Sequence, residues 1–499
     1  MSDGAAPGLR APDPSSHATV ARNALSLMVG QVATTALAVV LSAALGRSLG
    51  ARDFGIYYLI TTMATFAYVF AEWGQPLFVI REAARDPRRS GDLLGTAVVL
   101  RAAFALALTV PVGLVAWVLG YGPRTTRLSV LLVLATLPLF LAQAYGMFFR
   151  ARDQMGREAA VSVSNKVVVL CLTLPALAHG AGIPGVIAAQ AAAGAAAFAM
   201  AVKLYRPLAT TPLRASAATA RELLVAGLPI LAMSAAISAQ PYLDAIVLSK
   251  LAPAVAVGWF GAAKMILGTL TAPGTILATA AYPRLVRASG TPALAGEARA
   301  ALRPLLWLGA LAGTGTYLFA HTAVALIYGT EGFAPAATIL QVFAPGFFLL
   351  FIDILLGHIA YASGRGTGFA VAKIASVAVG TALNFVLIPV FQSRYGNGGM
   401  GVVASFALSE LVVFAGAVLV LRRQALQRAM AVDVARAVAA AGATLLLFRV
   451  HAPASPWAGI PLCVAVFAAA SLVFGLMSGR DLLLVRALVR RPKRASGFA

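Results

Sequence analysis

Long apolar runs divide nearly the whole chain, and polar residues are concentrated in the short stretches between them. A helix needs about 20 apolar residues to cross roughly 30 Å of hydrocarbon, so each run is a candidate transmembrane helix. About fourteen runs are long enough, at residues 24–46, 55–80, 93–119, 128–148, 159–178, 186–202, 223–249, 257–280, 304–328, 335–360, 369–391, 400–421, 434–450 and 457–478. The thirteenth is the weakest, because Asp433 and Arg436 lie at its start. The pattern predicts an all-α polytopic membrane protein.

Composition supports this fold class. The chain is 60% hydrophobic and 11% charged with a mean hydropathy of +0.86, whereas a soluble domain is about 25% charged. No gap between runs exceeds roughly 25 residues, so we expect any binding surface to lie between helices. The two cysteines, Cys171 and Cys463, each lie within an apolar run, which favours packing roles. The sequence therefore predicts no disulfide framework, no metal site and no cofactor.

The net charge of +22 first raises the question of nucleic acid. The N-terminus, the even-numbered connections and the C-terminal tail together contain about four times as many lysines and arginines as the odd-numbered connections. In membrane proteins, lysine and arginine are concentrated in the connections on the cytoplasmic side. This bias places both termini in the cytoplasm and explains the charge without nucleic acid. The tail "RALVRRPKR" is interpreted as an anchor on anionic lipid headgroups, with an amphipathic interfacial helix around 480–491 as the alternative.

Two connections resemble each other at a spacing of 203 residues. "LGRSLGARDFGIYYL" and "LSKLAPAVAVGWFGA" align Leu45 with Leu248 and Gly55 with Gly258. Each stretch opens the second helix of a six-helix set that starts in the cytoplasm. An even number of spans makes such a repeat parallel, with its pseudo-twofold axis along the membrane normal and a cleft between the halves.

The repeat predicts two six-helix lobes in a parallel pseudo-twofold arrangement, followed by a C-terminal helix pair. The predicted divisions are a cytoplasmic tail, the N-terminal lobe, the C-terminal lobe, the additional helix pair and a basic cytoplasmic tail, at residues 1–23, 24–208, 209–428, 429–478 and 479–499.

"LGRSLGARDFGIYYL" followed by "FAEWGQPLFVIREAARDPRRSGDLLGTAVVLR" resembles the opening of bacterial polysaccharide flippases. These are the O-antigen, Wzx-type branch of the multidrug/oligosaccharidyl-lipid/polysaccharide exporter superfamily. The resemblance implies a transporter of the bacterial cytoplasmic (inner) membrane that moves an undecaprenyl-pyrophosphate-linked oligosaccharide to the periplasmic leaflet. It also implies H⁺ or Na⁺ coupling and assembly partners such as a polysaccharide polymerase. The arginine run of lipid II flippases in the first two helices is missing here, which disfavours a peptidoglycan substrate.

Cations inside the runs are the first candidates for a binding site. A charge at the bilayer centre costs about 2.5 kcal/mol or more, so it faces a wet cavity, finds a partner or extends to the interface. Lys373, four residues into its run, is expected to extend to the interface. Arg101, Lys166 and Lys264 lie deeper and are candidate contacts for a pyrophosphate in a cationic cleft, with an interfacial role for Lys166 left open.

Four acids also fall within runs and are candidates for ion coupling or for structural salt pairs: Glu72, Asp244, Asp353 and Glu410. Glu410 is near the middle of its run, and Asp244 is placed to pair with Lys264. Several amides within the runs either line the cleft or join helices by hydrogen bonds. For any one of them the interhelical role is favoured. They include Asn165, Gln240 and Asn384.

Two other functions compete with a flippase. A multidrug/cation antiporter of the same superfamily shares the repeat, but it typically has twelve spans and acidic sites. A membrane-embedded oligosaccharide ligase or polymerase usually needs a large periplasmic loop with catalytic residues, and the odd-numbered connections here are short. No nucleophile motif or phosphate-binding glycine loop stands out, so the sequence predicts that the protein is not an enzyme.

Overall fold

The computed structural model describes residues 14–451 and 455–477, and all regular secondary structure within these ranges is helical. Two short 3₁₀ turns, Pro87–Arg89 and Arg206–Leu208, accompany the α-helices. The helices are α1 Pro14–Glu72, α2 Gln75–Arg85, α3 Ser90–Val118, α4 Pro123–Ala151, α5 Met155–Ala178, α6 Gly182–Tyr205, α7 Ala217–Leu251, α8 Ala254–Ala288, α9 Leu294–Tyr328, α10 Ala334–Ala362, α11 Gly366–Tyr395, α12 Gly398–Ala425, α13 Arg428–Val450 and α14 Pro456–Val473.

The all-α polytopic fold class is confirmed. Among the described residues, 13 helices are long and apolar enough to cross a membrane. The first of them, Met28–Glu72, has 45 residues and is interrupted at Gly50, whose φ of 71° and ψ of 168° are not helical. At 1.5 Å per residue, each side of this break is about 33 Å long. One interrupted helix therefore contains the first of the fourteen predicted runs and most of the second.

The predicted end of the second run, at residue 80, is wrong. α1 stops at Glu72, because Trp73 and Gly74 adopt positive φ values of 52° and 65°. The chain then starts the amphipathic helix α2, with Pro76 in its first turn, where proline needs no backbone donor. Pro76 is thus a helix-start residue and does not kink a membrane span.

The helices are grouped into two compact units. Of the described residues, the first comprises those within 1–49 and 60–235, and the second comprises those within 50–59 and 236–499. In the first unit α4 packs against α3, α5 and α6, while in the second α10 packs against α8, α9 and α12. The proposed lobe boundaries stay a prediction. The terminal stretches 1–13 and 478–499, which include the proposed tail anchor, lie outside the described residues.

The two aligned glycines of the repeat contact each other's helix within the second unit. A Cβ on Gly55 would lie 2.2 Å from the carbonyl oxygen of Ala254, and a Cβ on Gly258 would lie 1.9 Å from that of Ala51. Ala51 and Ala254 are also 203 residues apart, so the contact is reciprocal. Reciprocal contacts are what a twofold relation between two segments produces.

The charges at the start of α13 are paired rather than disruptive. Asp433 has a fully buried side chain and accepts hydrogen bonds from Arg299 of α9 at 2.6 and 3.1 Å, while Arg436 lies 3.3 Å away. Arg303, one turn further along α9, donates to the carbonyl oxygens of Gly475 and Leu476. These contacts join α13 and the end of α14 to α9, and α13 is long and apolar enough to span.

Candidate functional site

A polar cavity of about 410 Å³ lies within the first unit. Its walls come from α1, α2, α3, α4 and α5, and five charged side chains line it: Glu72, Arg101, Arg150, Glu158 and Lys166. Two of the predicted cations, Arg101 and Lys166, and one of the predicted acids, Glu72, are therefore brought to one place. Lys264, the third predicted cation, belongs to the second unit.

Arg101 is held by several protein groups at once. Its side chain is 1% exposed, and its Nη2 lies 2.9 Å from Glu72 Oε1. Its Nε donates to Gln75 Oε1 at 3.2 Å, its Nη1 donates to the carbonyl oxygen of Phe140 at 3.2 Å, and the guanidinium lies 4.6 Å from the centre of the Phe140 ring. A buried arginine needs such partners to offset its lost hydration. Arg101 thus has fewer donors left for a ligand than the sequence suggested.

The turn between α1 and α2 places the partners of Arg101. Glu72 and Gln75 flank the turn residues Trp73 and Gly74, so both reach the same guanidinium. The turn is fixed in place because Trp73 Nε1 donates to the carbonyl oxygen of Leu224 at 3.0 Å. A Cβ on Gly74 would also meet the carbonyl oxygen of Gly227 at 2.6 Å, so only glycine allows this approach.

Lys166 is the cavity cation for which the described part of the chain supplies no counter-charge. Arg150 and Glu158 form a bidentate pair at 2.8 and 2.5 Å, and Glu72 is paired with Arg101. Among the residues that the structure describes, Lys166 has no ion pair or hydrogen bond. Because the two arginine–glutamate pairs cancel, Lys166 leaves the five charged groups with a net charge of +1. A lining of this kind favours an anionic ligand.

A second cluster of buried charges lies in the second unit. Lys373 of α11 is 2.7 Å from Asp353 Oδ2 of α10 and 3.1 Å from Glu410 Oε1 of α12. The expectation that Lys373 extends to the interface is wrong, because two acids on neighbouring helices give its ammonium local partners. One lysine between two carboxylates leaves a net charge of −1, and Asp353 Oδ1 and Glu410 Oε2 have no hydrogen-bond partner in the described part of the chain.

The remaining predicted residues of the second unit are two amides and two charged residues: Gln240, Asn384, Asp244 and Lys264. Asn384 donates to Asp244 Oδ1 at 2.7 Å, and Gln240 donates to Ser409 Oγ at 3.3 Å. These two amides join helices. Lys264 Nζ lies 5.9 Å from the Phe260 ring centre, and no ion pair with Asp244 is present among the contacts of the described residues. Asn384 therefore holds Asp244 by a hydrogen bond, whereas Lys264 attracts the same carboxylate only over a longer distance.

Three residues of the site were not singled out as candidates from the sequence: Arg150 and Glu158 line the cavity, and Gln75 binds the cavity residue Arg101 without lining the cavity itself. Gln75 lies just beyond the turn that ends α1, and Arg150 and Glu158 flank the connection between α4 and α5, where charges count toward topology. Arg150 and Glu158 are eight residues apart in the sequence, on either side of the connection between two helices, and this spacing is compatible with an ion pair. The sequence does not single out the pair, because both residues are equally compatible with a solvated cytoplasmic loop.

Comparison with solved structures identifies the fold. The chain matches a lipid II flippase MurJ in an inward closed conformation, with a TM-score of 0.70, 12% identity, and coverage of 94% of this chain and 99% of that one. It also matches an inward-facing multidrug resistance MATE family transporter of the MOP superfamily (TM-score 0.63, 14% identity, 81% and 98% coverage). A third match is the Vibrio cholerae MATE transporter VcmN in its bent form (0.54, 15%, 82% and 99%). At these identities the likeness shows the fold, which is that of MOP superfamily transporters.

The sequence comparison identifies the family. The profile described as "Polysaccharide biosynthesis protein" matches residues 20–289, which is more than half of the chain. The chain therefore belongs to the polysaccharide biosynthesis protein family. No curated protein sequence matches it significantly.

Proposed function

We propose that this protein is a flippase that moves an undecaprenyl-pyrophosphate-linked oligosaccharide from the cytoplasmic to the periplasmic leaflet of a bacterial inner membrane. The observation that carries the proposal is Lys166, which lines the polar cavity of the first unit and has no ion pair among the described residues. A pyrophosphate and its sugars cannot cross hydrocarbon exposed, so a carrier needs a wet cavity with a free cation. Membership of a polysaccharide biosynthesis family supports a glycan-bearing substrate.

Within this proposal, Lys166 supplies the charge and Arg101 supplies a rigid wall. Lysine is a compact point charge with three rotatable donors, suited to a phosphate that moves during transport. Arg101, tied to Glu72, Gln75 and Phe140, keeps the neighbouring helices in register. Lys264 of the second unit is proposed as a later contact for the same headgroup.

We further propose that the acid-rich cluster of Asp353, Lys373 and Glu410 binds the coupling cation. Its net charge of −1, and two carboxylate oxygens with no hydrogen-bond partner in the described part of the chain, favour the binding of one H⁺ or Na⁺. Asp244, held by Asn384, is the second candidate in the same unit. A cation site separate from the anion cavity would let an ion gradient drive transport of a negatively charged lipid.

A reconstituted flipping assay tests the proposed function. Purified protein in liposomes is given a fluorescent undecaprenyl-pyrophosphate-linked oligosaccharide, and transfer between leaflets is followed with and without H⁺ and Na⁺ gradients. We expect flipping above that of empty liposomes and no gradient-driven efflux of cationic dyes. Dye efflux without lipid flipping would identify the antiporter alternative instead.

A further inference from the structure

Asn165 is a buried amide that has an unused donor in the polar cavity. The residue is 4% exposed and lines the cavity beside Lys166, the next residue of α5. Its Nδ2 has no hydrogen-bond partner among the described residues. The sequence favoured an interhelical role for such amides, and Asn384 fills that role, since its Nδ2 donates to Asp244 at 2.7 Å. Asn165 does not form such a bond through its Nδ2.

An unpaired buried donor destabilises the protein that carries it, because its hydration is lost and not replaced. Each such group in a folded protein calls for an explanation, and a missing ligand is a physical one. The Nδ2 atom of Asn165 is a hydrogen-bond donor, and the ammonium of Lys166 has donors only, so a ligand of both must supply acceptors. The carboxylates that line the same cavity, those of Glu72 and Glu158, are already taken by arginines.

We propose that Asn165 donates a hydrogen bond from Nδ2 to a phosphoryl oxygen of the lipid pyrophosphate whose charge is met by Lys166. This inference rests on the proposed function and adds the residue that orients the anion. A sugar hydroxyl both donates and accepts, whereas a phosphoryl oxygen only accepts, so two neighbouring donors match phosphate better. Lys166 then gives attraction from any direction, and the amide gives a directed contact.

The test compares Asn165→Leu with Thr173→Val in the full-length protein in detergent. Thr173 lies on the same helix and is fully buried, and its hydroxyl has no hydrogen-bond partner among the described residues, but it does not line the cavity. Both changes remove an unpaired buried polar group, so neither should lower the melting temperature. Affinity for undecaprenyl pyrophosphate should fall about ten- to hundredfold in Asn165→Leu, as expected for one lost hydrogen bond to a charged group, and stay unchanged in Thr173→Val.

A near-isosteric variant separates the loss of the contact from altered packing. Asn165→Asp keeps the size of the side chain but replaces the donor with a carboxylate, so it should bind undecaprenyl pyrophosphate more weakly than Asn165→Leu. As a stability reference, Asn384→Leu removes a formed hydrogen bond and should lower the melting temperature.

The outcomes separate this inference from the proposed function. Wild-type protein that binds no undecaprenyl pyrophosphate would contradict the proposed function itself. Wild-type binding that Asn165→Leu and Asn165→Asp leave unchanged would overturn only the role of Asn165. Weaker binding of the glycan-bearing lipid, with unchanged binding of undecaprenyl pyrophosphate, would assign Asn165 to a sugar and also overturn the phosphate contact.

Discussion

Lys166 carries the charge that the neighbouring cavity residues do not neutralise. In the proposed complex its ammonium makes a charge-assisted contact to the pyrophosphate. We expect Lys166→Ala to weaken substrate binding by about 1.5–3 kcal/mol, the usual contribution of a hydrogen bond to a charged group. Lys166→Arg should retain part of the affinity, and Lys166→Glu should bind less than Lys166→Ala because repulsion is added. Binding of undecaprenyl pyrophosphate to the purified variants measures this order.

Lys203, near the end of α6, is the matched control for the loss of one positive charge. Lys203→Ala should bind like the wild type, and membrane insertion is measured for every variant. A normally inserted Lys166→Ala protein with full affinity would show that the lysine serves packing or the interface only.

Glu410 is the residue at which ion coupling is tested. Glu410→Gln removes one carboxylate from the cluster, while Lys373 keeps its 2.7 Å contact with Asp353, so the buried ammonium stays paired and the protein should fold. We expect the gradient stimulation of flipping to disappear and the affinity for undecaprenyl pyrophosphate to persist. The comparison is Glu297→Gln, which alters a partly exposed acid of α9. Unchanged gradient dependence in Glu410→Gln would assign Glu410 a structural role.

At the scale of helices, the crossing of the segment after Gly50 with the start of α8 depends on two glycines. Gly258→Ala would place a methyl group 1.9 Å from the backbone oxygen of Ala51, which cannot move away as a side chain can. Overpacking of this kind costs about 1–3 kcal/mol or more. We expect a clearly lower melting temperature in detergent.

Gly268→Ala is the control on the same helix, because nothing lies within 4 Å of the added Cβ. Alanine favours a helix over glycine by about 0.5–1 kcal/mol, so this variant should be neutral or slightly more stable. Equal melting temperatures for the two variants would contradict the close crossing.

At the scale of the whole molecule, the distribution of lysine and arginine predicts that both termini are cytoplasmic. Single cysteines at residues 88 and 499, introduced after replacement of Cys171 and Cys463, should both react with an impermeant thiol reagent from the cytoplasmic side only. A cysteine at Gly122, in the short connection between α3 and α4, should react from the opposite side. Labelling of residues 88 and 499 from different sides would disprove this topology.

Much of the fold follows from the sequence, whereas the site follows from it only in part. Helices long enough to span are visible as apolar runs, and α13 proves long and apolar enough despite its charged start. Arg101, Lys166 and Glu72 stand out from the sequence, because charges in apolar runs are rare. The pairing of Glu72 with Arg101 cannot be recognised from the sequence, because the two residues are 29 positions apart and meet only through the turn at Trp73 and Gly74.

Lys373 shows where sequence reasoning fails for a physical reason. Its position four residues into a run favours an interfacial role, and only the packing of α10 and α12 against α11 reveals its two carboxylate partners. Asn165 and Asn384 are similar in sequence terms, yet one has an unpaired donor in a cavity and the other a 2.7 Å bond. Partners of buried polar groups come from distant segments, so spacing along one helix cannot assign them.

The sequence by itself determined the fold class, the family and the approximate helix boundaries, because the cost of exposing the backbone in hydrocarbon acts on each segment separately. Tertiary structure alone decided which charges are neutralised and which are not. It paired Arg101 with Glu72 and Asp433 with Arg299, and it gave Lys166 no counter-ion among the described residues. The distinction between a structural charge and a ligand contact depends on distances of a few ångströms between helices, because Coulomb and hydrogen-bond energies fall steeply with separation.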